Sequence, residues 1–384
     1  MTMEELDTIR KLDFNMCMQC GECTGCCPVS FKSKLNPRRL ILETAYMISP
    51  LTMYPPVNIR EKSEVWDCTT CYACSYRCPR NVNPMEVLIS LRSVLIEEGL
   101  VPRTLTDALE RVYKYGNPWG ISRNKRSDWA KDLKVKYASE DEKVDLLYFV
   151  GCIASYDFRA QEIAKSMVKN LRALDIDFSI LGNKETCCGN EVYSLGEKGL
   201  FEDLMENNLG FFDRYKIKKI ITTSPHCFNT FKNRYKREDL DVQHYTQYFA
   251  NLVEKEKVKF SKKIEKVVTY HDPCFLGKHN NIYDEPRKII ECIPGVKFVE
   301  LTRSRGRGIC CEGGGGRMWY DIPGERLAEI RVKEALDVGA EIMAVACPFC
   351  LITFDDAIKA TGNKDKIQVK DIMELIAEAI IPIT

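Results

Sequence analysis

Apolar residues follow two different rhythms along the chain. Up to about residue 115 they recur at three- and four-residue steps, which predicts helices over 37–47, 84–98 and 104–115. Asn83 is placed to cap the second of these, Pro84 suits a first helical position and Gly99 suits a stop. Beyond residue 144 short apolar runs take over: Leu146-Leu147-Tyr148-Phe149-Val150, Lys219-Ile220-Ile221-Thr222, Val267-Val268-Thr269-Tyr270 and Ile342-Met343-Ala344-Val345. They alternate with helical stretches of roughly ten to fifteen residues, the pattern of parallel α/β units. No window holds the ~18 uninterrupted apolar residues of a membrane-spanning helix. The longest apolar stretches, 146–154 and 375–383, have the length of core elements.

Composition narrows the class. With 384 residues, 45% of them hydrophobic, the chain can bury substantial cores without disulfide staples. Lys and Arg number 56 against 55 Asp and Glu, a formal charge of +1, so no global field draws in nucleic acid or an anionic membrane. The departure is in the 19 cysteines. A secreted scaffold of that density is shorter and starts with a leader, whereas this sequence starts Met1-Thr2-Met3-Glu4-Glu5, without an apolar h-region. The expectation is a soluble, cytoplasmic protein without a membrane span of its own, whose cysteines are thiolates holding metal.

Five cysteines lie between Cys17 and Cys27 and four between Cys68 and Cys78, and the next is Cys152. The runs read Cys17-x2-Cys20-x2-Cys23-x3-Cys27-Pro28 and Cys68-x2-Cys71-x2-Cys74-x3-Cys78-Pro79, the bacterial ferredoxin pattern twice over. Two-residue spacing aims three thiolates at one cubane face, and the proline turns the chain so that the fourth cysteine reaches the other cluster. One [4Fe-4S] cluster is therefore expected on Cys17, Cys20, Cys23 and Cys78, a second on Cys68, Cys71, Cys74 and Cys27. A zinc site rarely needs three thiolates in a row followed by Cys-Pro. Cys26 is left over as a spectator. Residues 1–115 thus read as a helical ferredoxin-like domain, and residues 116–143, charged and opened by Gly116-Asn117-Pro118-Trp119-Gly120, as a linker or extended arm.

The rest of the chain repeats itself, 144–260 and then 261–384. Cys152 maps onto Cys274, Cys187 and Cys188 onto Cys310 and Cys311, and Cys227 onto Cys350. Each copy reads strand, Cys, helix, short strand, Cys-Cys, helix, strand, Cys. Sites in parallel sheets form beyond the carboxyl ends of the strands, where three separated cysteine segments can converge. The second copy carries Cys274, Cys310, Cys311, Cys347 and Cys350, one thiolate more than a cubane takes. Adjacent side chains diverge, so five ligands with a vicinal pair suggest an opened or irregular cluster, and these five are the candidate catalytic residues. Gly313-Gly314-Gly315-Gly316 follows at once, backbone that can approach a cluster or substrate. A phosphate loop is ruled out because no Gly-Lys-Ser/Thr follows. The first copy has Ser224 where the second has Cys347. Its Cys152, Cys187, Cys188 and Cys227 suit an ordinary [4Fe-4S] cluster, a tetrahedral zinc, or a site that has fallen empty.

These residues resemble the cysteine-rich (CCG) domain family, in particular the catalytic polypeptides of heterodisulfide reductases. The domain order is similar to that of the D component of these enzymes, or to a fusion of the separate C and B components. The resemblance implies a noncubane [4Fe-4S] cluster at each complete cysteine set, hence at Cys274, Cys310, Cys311, Cys347 and Cys350. It also implies reduction of a disulfide or oxidation of thiols, with electrons supplied by a flavoprotein or membrane cytochrome b partner, which could hold the chain at the cytoplasmic membrane face. The sequence itself carries no dinucleotide or flavin motif. Ser224 breaks the first set and Glu312 replaces the glycine that usually follows the second pair. Relatives with this order act in other redox complexes, so a non-catalytic electron relay is the alternative.

Other residues take second place. His271 and His226 are the nearest titrating groups by sequence, and hydrogen bonds to a sulfide or carbonyl are the expected use of both. Glu312 is expected either to aid proton transfer or to lie on an exposed loop. Arg303, Arg305 and Arg307 either hold an anionic substrate group or form a solvated loop. Cys292, inside a helical stretch, is expected in the core, Trp119 and Tyr320 in packing roles, and the basic run 255–266 on a solvated face.

Overall fold

Asn83 Oδ1 accepts from the Glu86 amide at 3.2 Å and opens the helix Pro84–Glu97, and Gly99 follows its end in the left-handed region at φ +72°. This helix is the centre of the N-terminal unit in a computed structural model of the chain, which describes residues 9–48 and 59–380. Helices Pro37–Ile48 and Arg103–Tyr115 accompany it, close to where the apolar spacing predicts them. Arg92 lies on its buried face, where a charge must be fully hydrogen-bonded. The guanidinium donates to the carbonyls of Val65, Trp66 and Cys68 in its own unit. It also reaches Ser194 O at 2.7 Å in the first repeat and Gly315 O at 3.3 Å in the second.

Each repeat builds a parallel sheet. The first runs β1 (Leu147–Phe149), β2 (Lys219–Thr222), β3 (Asp241–His244), in that spatial order. The second contains β4 (Val267–Tyr270), β5 (Lys297–Phe298), β6 (Ile342–Val345) and β7 (Gln368–Asp371), ordered β5-β4-β6-β7. Phe149 pairs with Thr222 and Thr222 with His244, while Tyr270 pairs with Ala344 and Val345 with Asp371. The four apolar runs are β1, β2, β4 and β6. The short strand expected before each Cys-Cys pair is β5 in the second copy but two isolated bridges, Leu147 to Ser179 and Tyr137 to Ile180, in the first. β3 and β7 were not expected. They are partly solvated edge strands, so their polar residues hide them from an apolar pattern.

The repeats exchange their last helices. Helix Tyr245–Glu254, after β3, packs on Asp284–Cys292 of the second repeat, and Ile372–Ala379, after β7, packs on Gln161–Ala173 of the first. Asn170 Nδ2 donates to Met373 O at 2.9 Å, Tyr245 Oη to Asp371 Oδ1 at 2.8 Å, and Arg159 pairs with Glu374 at 2.9 Å. Residues 116–143, expected as a linker or extended arm, lie against the first repeat: Trp129 and Ala130 are buried and the Ala138 amide donates to Ile180 O at 2.9 Å. One expectation fails outright. Cys292 is exposed, because its helix buries Pro286, Arg287, Ile289 and Ile290 and the last residue falls on the opposite side. No helix among the described residues is long and apolar enough to cross a membrane. The apolar stretch 375–383 begins in helix Ile372–Ala379, and its end lies outside the described residues.

Candidate metal centres

All 19 cysteines are free thiols, and 17 of them fall into four groups in space. Both N-terminal loops use the same turn. Gln19 and Gly21 in one, and Thr70 and Tyr72 in the other, take left-handed φ values of 57°, 88°, 49° and 66°. The turn tips the Thr70 amide onto Cys68 Sγ at 3.3 Å. Cys17, Cys20, Cys23 and Cys78 line one hollow with Ile41 and Pro79, and Cys20 is exposed there. Cys27 stands instead among Cys68, Cys71 and Cys74, whose negative charges, together with burial, push the Cys74 thiol well up. Each run therefore gives its fourth cysteine to the other group. Cys26 Sγ donates to Ala73 O at 3.4 Å and to Cys23 O at 3.5 Å, outside both groups.

In the second repeat Cys274 follows β4, Cys347 precedes helix Pro348–Ala360 after β6, and Cys350 sits in that helix's first turn. Cys310 and Cys311 enter on a loop. None of the five is more than 8% exposed. Cys350 Sγ lies 3.4 Å from Cys311 Sγ, and Cys310 neighbours both Cys274 and Cys311. His271, at the end of β4, completes the group: a ring nitrogen and the sulfurs of Cys311 and Cys350 lie within 4.8 Å of one another. Neither nitrogen of His271 has a protein partner, and burial, then the Arg331 charge, hold the imidazole well below its usual range. Of the two partners expected for this ring, a sulfide or a carbonyl, it has no carbonyl.

The inner N-terminal group touches the second repeat. Cys71 and Cys310 are neighbours across the domain border. The glycine run makes that approach possible. A Cβ on Gly315 (φ +68°) would stand 2.4 Å from Cys68 O, and one on Gly314 3.1 Å from Thr69 O. These glycines therefore meet the cysteine loop, not an open substrate space. Glu312 has left-handed φ of 75° in the place of Gly189 (φ 83°) of the first copy. It is neither exposed nor free: its carboxylate pairs with Lys32 at 2.6 Å and Arg317 at 2.9 Å and accepts from the Leu327 amide at 2.7 Å. Lys32 belongs to the N-terminal unit, so Glu312 fastens the two units together.

In the first repeat Cys152, Cys187, Cys188 and Cys227 stand next to one another in series. Arg126, 2% exposed, points both terminal nitrogens at Cys152 Sγ, at 3.6 and 3.7 Å, and pairs with buried Glu185 at 2.7 Å. Glu185 also accepts from the Val150 and Gly151 amides, both at 2.9 Å. Ser224 Oγ accepts from the Cys227 amide at 3.4 Å and caps helix Pro225–Asn233, whereas Cys347 makes no such bond. A cavity of about 50 Å³ adjoins these thiols, walled by Trp119, Trp319, Leu195 and Phe349.

The two histidines part company with the sequence reading. His226 neighbours Cys227, yet its Nδ1 faces Cys347 Sγ of the other repeat at 3.9 Å, and burial lowers its pKa to about 4. Of the arginine loop, Arg303 pairs with Glu334 and Arg305 with Asp284 at 2.7 Å, which is the solvated-loop role. Trp119 packs edge-on to Trp319 at 6.1 Å, as expected. The functional candidates that were missed are Arg126 and Glu185. A charged residue in a polar stretch gives no sign of burial.

The donor set fits metal-bound sulfur. The thiols of Cys71, Cys152 and Cys274 are held well above their usual range by hydrogen bonds to a neighbouring thiol and by burial. They would stay protonated until a cation takes the proton's place. The bare nitrogens of His271 are likewise buried donors or acceptors waiting for a partner.

The chain resembles known proteins over nearly its whole length. The 4Fe-4S dicluster domain matches residues 13–82, and the cysteine-rich domain matches residues 146–232 and 268–355. The D component of the dihydromethanophenazine:CoB–CoM heterodisulfide reductase of Methanosarcina barkeri is 33% identical, covering 98% of this chain and 96% of its own length. A probable iron-sulfur-binding oxidoreductase of Bacillus subtilis, FadF, is 32% identical over 99% of this chain and 61% of its own. An EtfAB:quinone oxidoreductase of Syntrophomonas wolfei is 29% identical over 96% and 58%. The chain thus spans about three fifths of the length of these last two relatives.

Proposed function

The chain belongs to the family of the heterodisulfide reductase D component, iron–sulfur oxidoreductases with a dicluster domain and two cysteine-rich domains, and on that premise we propose the following electron path. Cys17, Cys20, Cys23 and Cys78 would hold a cubane [4Fe-4S] cluster at the point of electron entry, and Cys27, Cys68, Cys71 and Cys74 a second one. Cys274, Cys310, Cys311, Cys347 and Cys350 would hold a noncubane [4Fe-4S] cluster at the end of the path, and it would supply reduction of a disulfide or oxidation of two thiols. Bound clusters supply one-electron transfer and, at a five-thiolate centre, an iron able to take up a substrate sulfur. The observation that carries the proposal is the contact of Cys71 with Cys310, which joins the inner dicluster group to the second repeat without a detour through the first.

The chain's own residues hold this path in place. Gly314 and Gly315 let the loops close up, Glu312 ties them through Lys32, and burial of the five cysteines keeps water out. Reduction of one disulfide consumes two electrons and two protons. His271, uncharged and without a protein partner, is placed to donate an N–H towards Cys311 and Cys350. The electron donor is a flavoprotein or membrane cytochrome b partner, through which the chain would sit at a membrane face. The substrate is a small disulfide of the kind named for the Methanosarcina relative, CoB–CoM.

A second reading, relay without S–S chemistry, is favoured by the burial of all five second-repeat cysteines. Anaerobic iron and sulfide counts with EPR separate the two. About twelve irons and a new paramagnetic signal on adding a thiol to the oxidised protein support reduction chemistry. The same iron count with no spectral change for the CoB–CoM pair or simple thiols leaves the relay.

A further inference from the structure

Lys278 is 4% exposed, a rare setting for an ammonium group. It lies four residues after Cys274 on the short helix Gly277–Asn280, which packs against the Ala73–Tyr76 helix of the N-terminal unit. Its Nζ donates to Gly308 O at 2.6 Å. No carboxylate among the described residues pairs with it, whereas buried Arg126, Arg287, Arg317 and Arg331 each have one. Buried Arg92 also has none, but five carbonyls satisfy its guanidinium, where the Lys278 ammonium has a single one. A buried charge with so little compensation is expensive, so more has to be supplied. The surroundings give the direction: Gly308, its partner, stands two residues before Cys310, and His279 on the next residue meets Thr70 O, beside Cys71, at 3.0 Å.

The first repeat shows what is different here. The residue four after Cys152 is Tyr156, and Gly308 occupies the place of Glu185, two residues before the vicinal cysteines. There the cation near the thiols, Arg126, is neutralised by Glu185. In the second repeat the acid is replaced by a glycine whose carbonyl takes only one of the ammonium's three donors.

We propose that Lys278 is a potential-setting residue: its counter-charge is the sulfur of the junction between Cys71 and Cys310, and it favours the reduced, more negative state of the centres on either side. This rests on the reading that both cysteine groups hold clusters. An electron lost by the outer Cys17/Cys20/Cys23/Cys78 centre would be gained by the inner one, and the positive charge favours that transfer.

The test is a dithionite titration of the full chain, carrying its clusters, followed by EPR, for the parent, Lys278→Met and Lys278→Arg. Lys278→Met is expected to lower the midpoint potentials of the inner dicluster centre and the second-repeat centre while the outer centre stays put. Lys278→Arg is expected to keep all three near the parent values. If Lys278→Met loses iron from the junction while Lys278→Arg retains it, the need for the charge is shown by that loss. Unchanged potentials in Lys278→Met, an equal shift of every centre, or loss of iron in both variants would overturn the proposal. None of these readings requires turnover, so they stand apart from a failure to act on disulfides. Absence of iron from the parent would instead sink the underlying cluster assignment.

Discussion

His226 of the first repeat places its Nδ1 3.9 Å from Sγ of Cys347 in the second. Its ring is held between Phe275 and Phe349, with centroids at 4.3 and 4.0 Å. Phe349, its counterpart in the second copy, in turn walls the cavity beside the first repeat's thiols. Each repeat thus supplies a ring to its twin's centre, just as each packs its last helix on its twin.

Replacing His226 by Phe copies the second repeat's own residue but adds volume to a packed, buried site, so a cost in stability of about 1–3 kcal/mol is expected. The EPR signature of the second-repeat centre is expected to change and that of any first-repeat centre to remain. A change confined to the first repeat would show that sequence neighbourhood, not the contact with Cys347, governs this histidine.

Ser224→Cys restores the missing fifth thiol. The helix loses its Oγ cap from Cys227, at roughly 1 kcal/mol, a bond that Cys347 already does without. The variant is expected to gain a second signal of the second-repeat type, with no loss of iron. An unaltered spectrum at full iron content would mean that the fifth thiolate alone does not set the cluster type.

Arg126→Met leaves the Glu185 carboxylate buried beside Cys152 without its cation. Breaking such a pair costs about 3–5 kcal/mol, and Arg126→Met with Glu185→Gln should recover part of it. Thermal melting reads both. Metal bound at Cys152, Cys187, Cys188 and Cys227 should fall in the single variant, because the sulfur loses two N–H donors.

His244 gives a pH signature. It is fully buried, with Nδ1 2.8 Å from Thr246 Oγ1, and burial lowers its pKa to about 3. In the unfolded chain an imidazole takes its proton near 6.5, so the unfolded state binds the proton first as pH falls. The stability contributed is full above about 6.5 and drains away towards 3, at up to ~1.4 kcal/mol per pH unit. His244→Asn keeps a capping side chain and cannot titrate. Its melting temperature should drop less between about pH 7 and pH 5 than the parent's, and equal slopes would exclude His244 as the source.

Spacing made the thiol groups legible. Cys27 and Cys78 change partners as the Cys-Pro pattern demands, and the strand–cysteine repeat places Cys274 and Cys347 beyond the ends of β4 and β6. What stayed hidden were relations between distant residues. Arg126 looks like any charge in a polar stretch until Glu185 and Cys152 close around it. Glu312 looks like an unfavourable substitution for glycine until Lys32 arrives from another unit. The polar edge strands β3 and β7 show no apolar run because one side of each faces solvent, and their helices pair with the other repeat, which no local pattern records.

The hydrogen bonds of Arg92 bear on how electrons move. One guanidinium is shared among carbonyls of all three units: Val65, Trp66 and Cys68, then Ser194, then Gly315. It works like a dowel through three planks. A dicluster unit pinned in this way is no shuttle that swings between donor and acceptor. The gap an electron must jump is cut to length when the chain folds, and thickening the solvent should leave the internal transfer rate untouched.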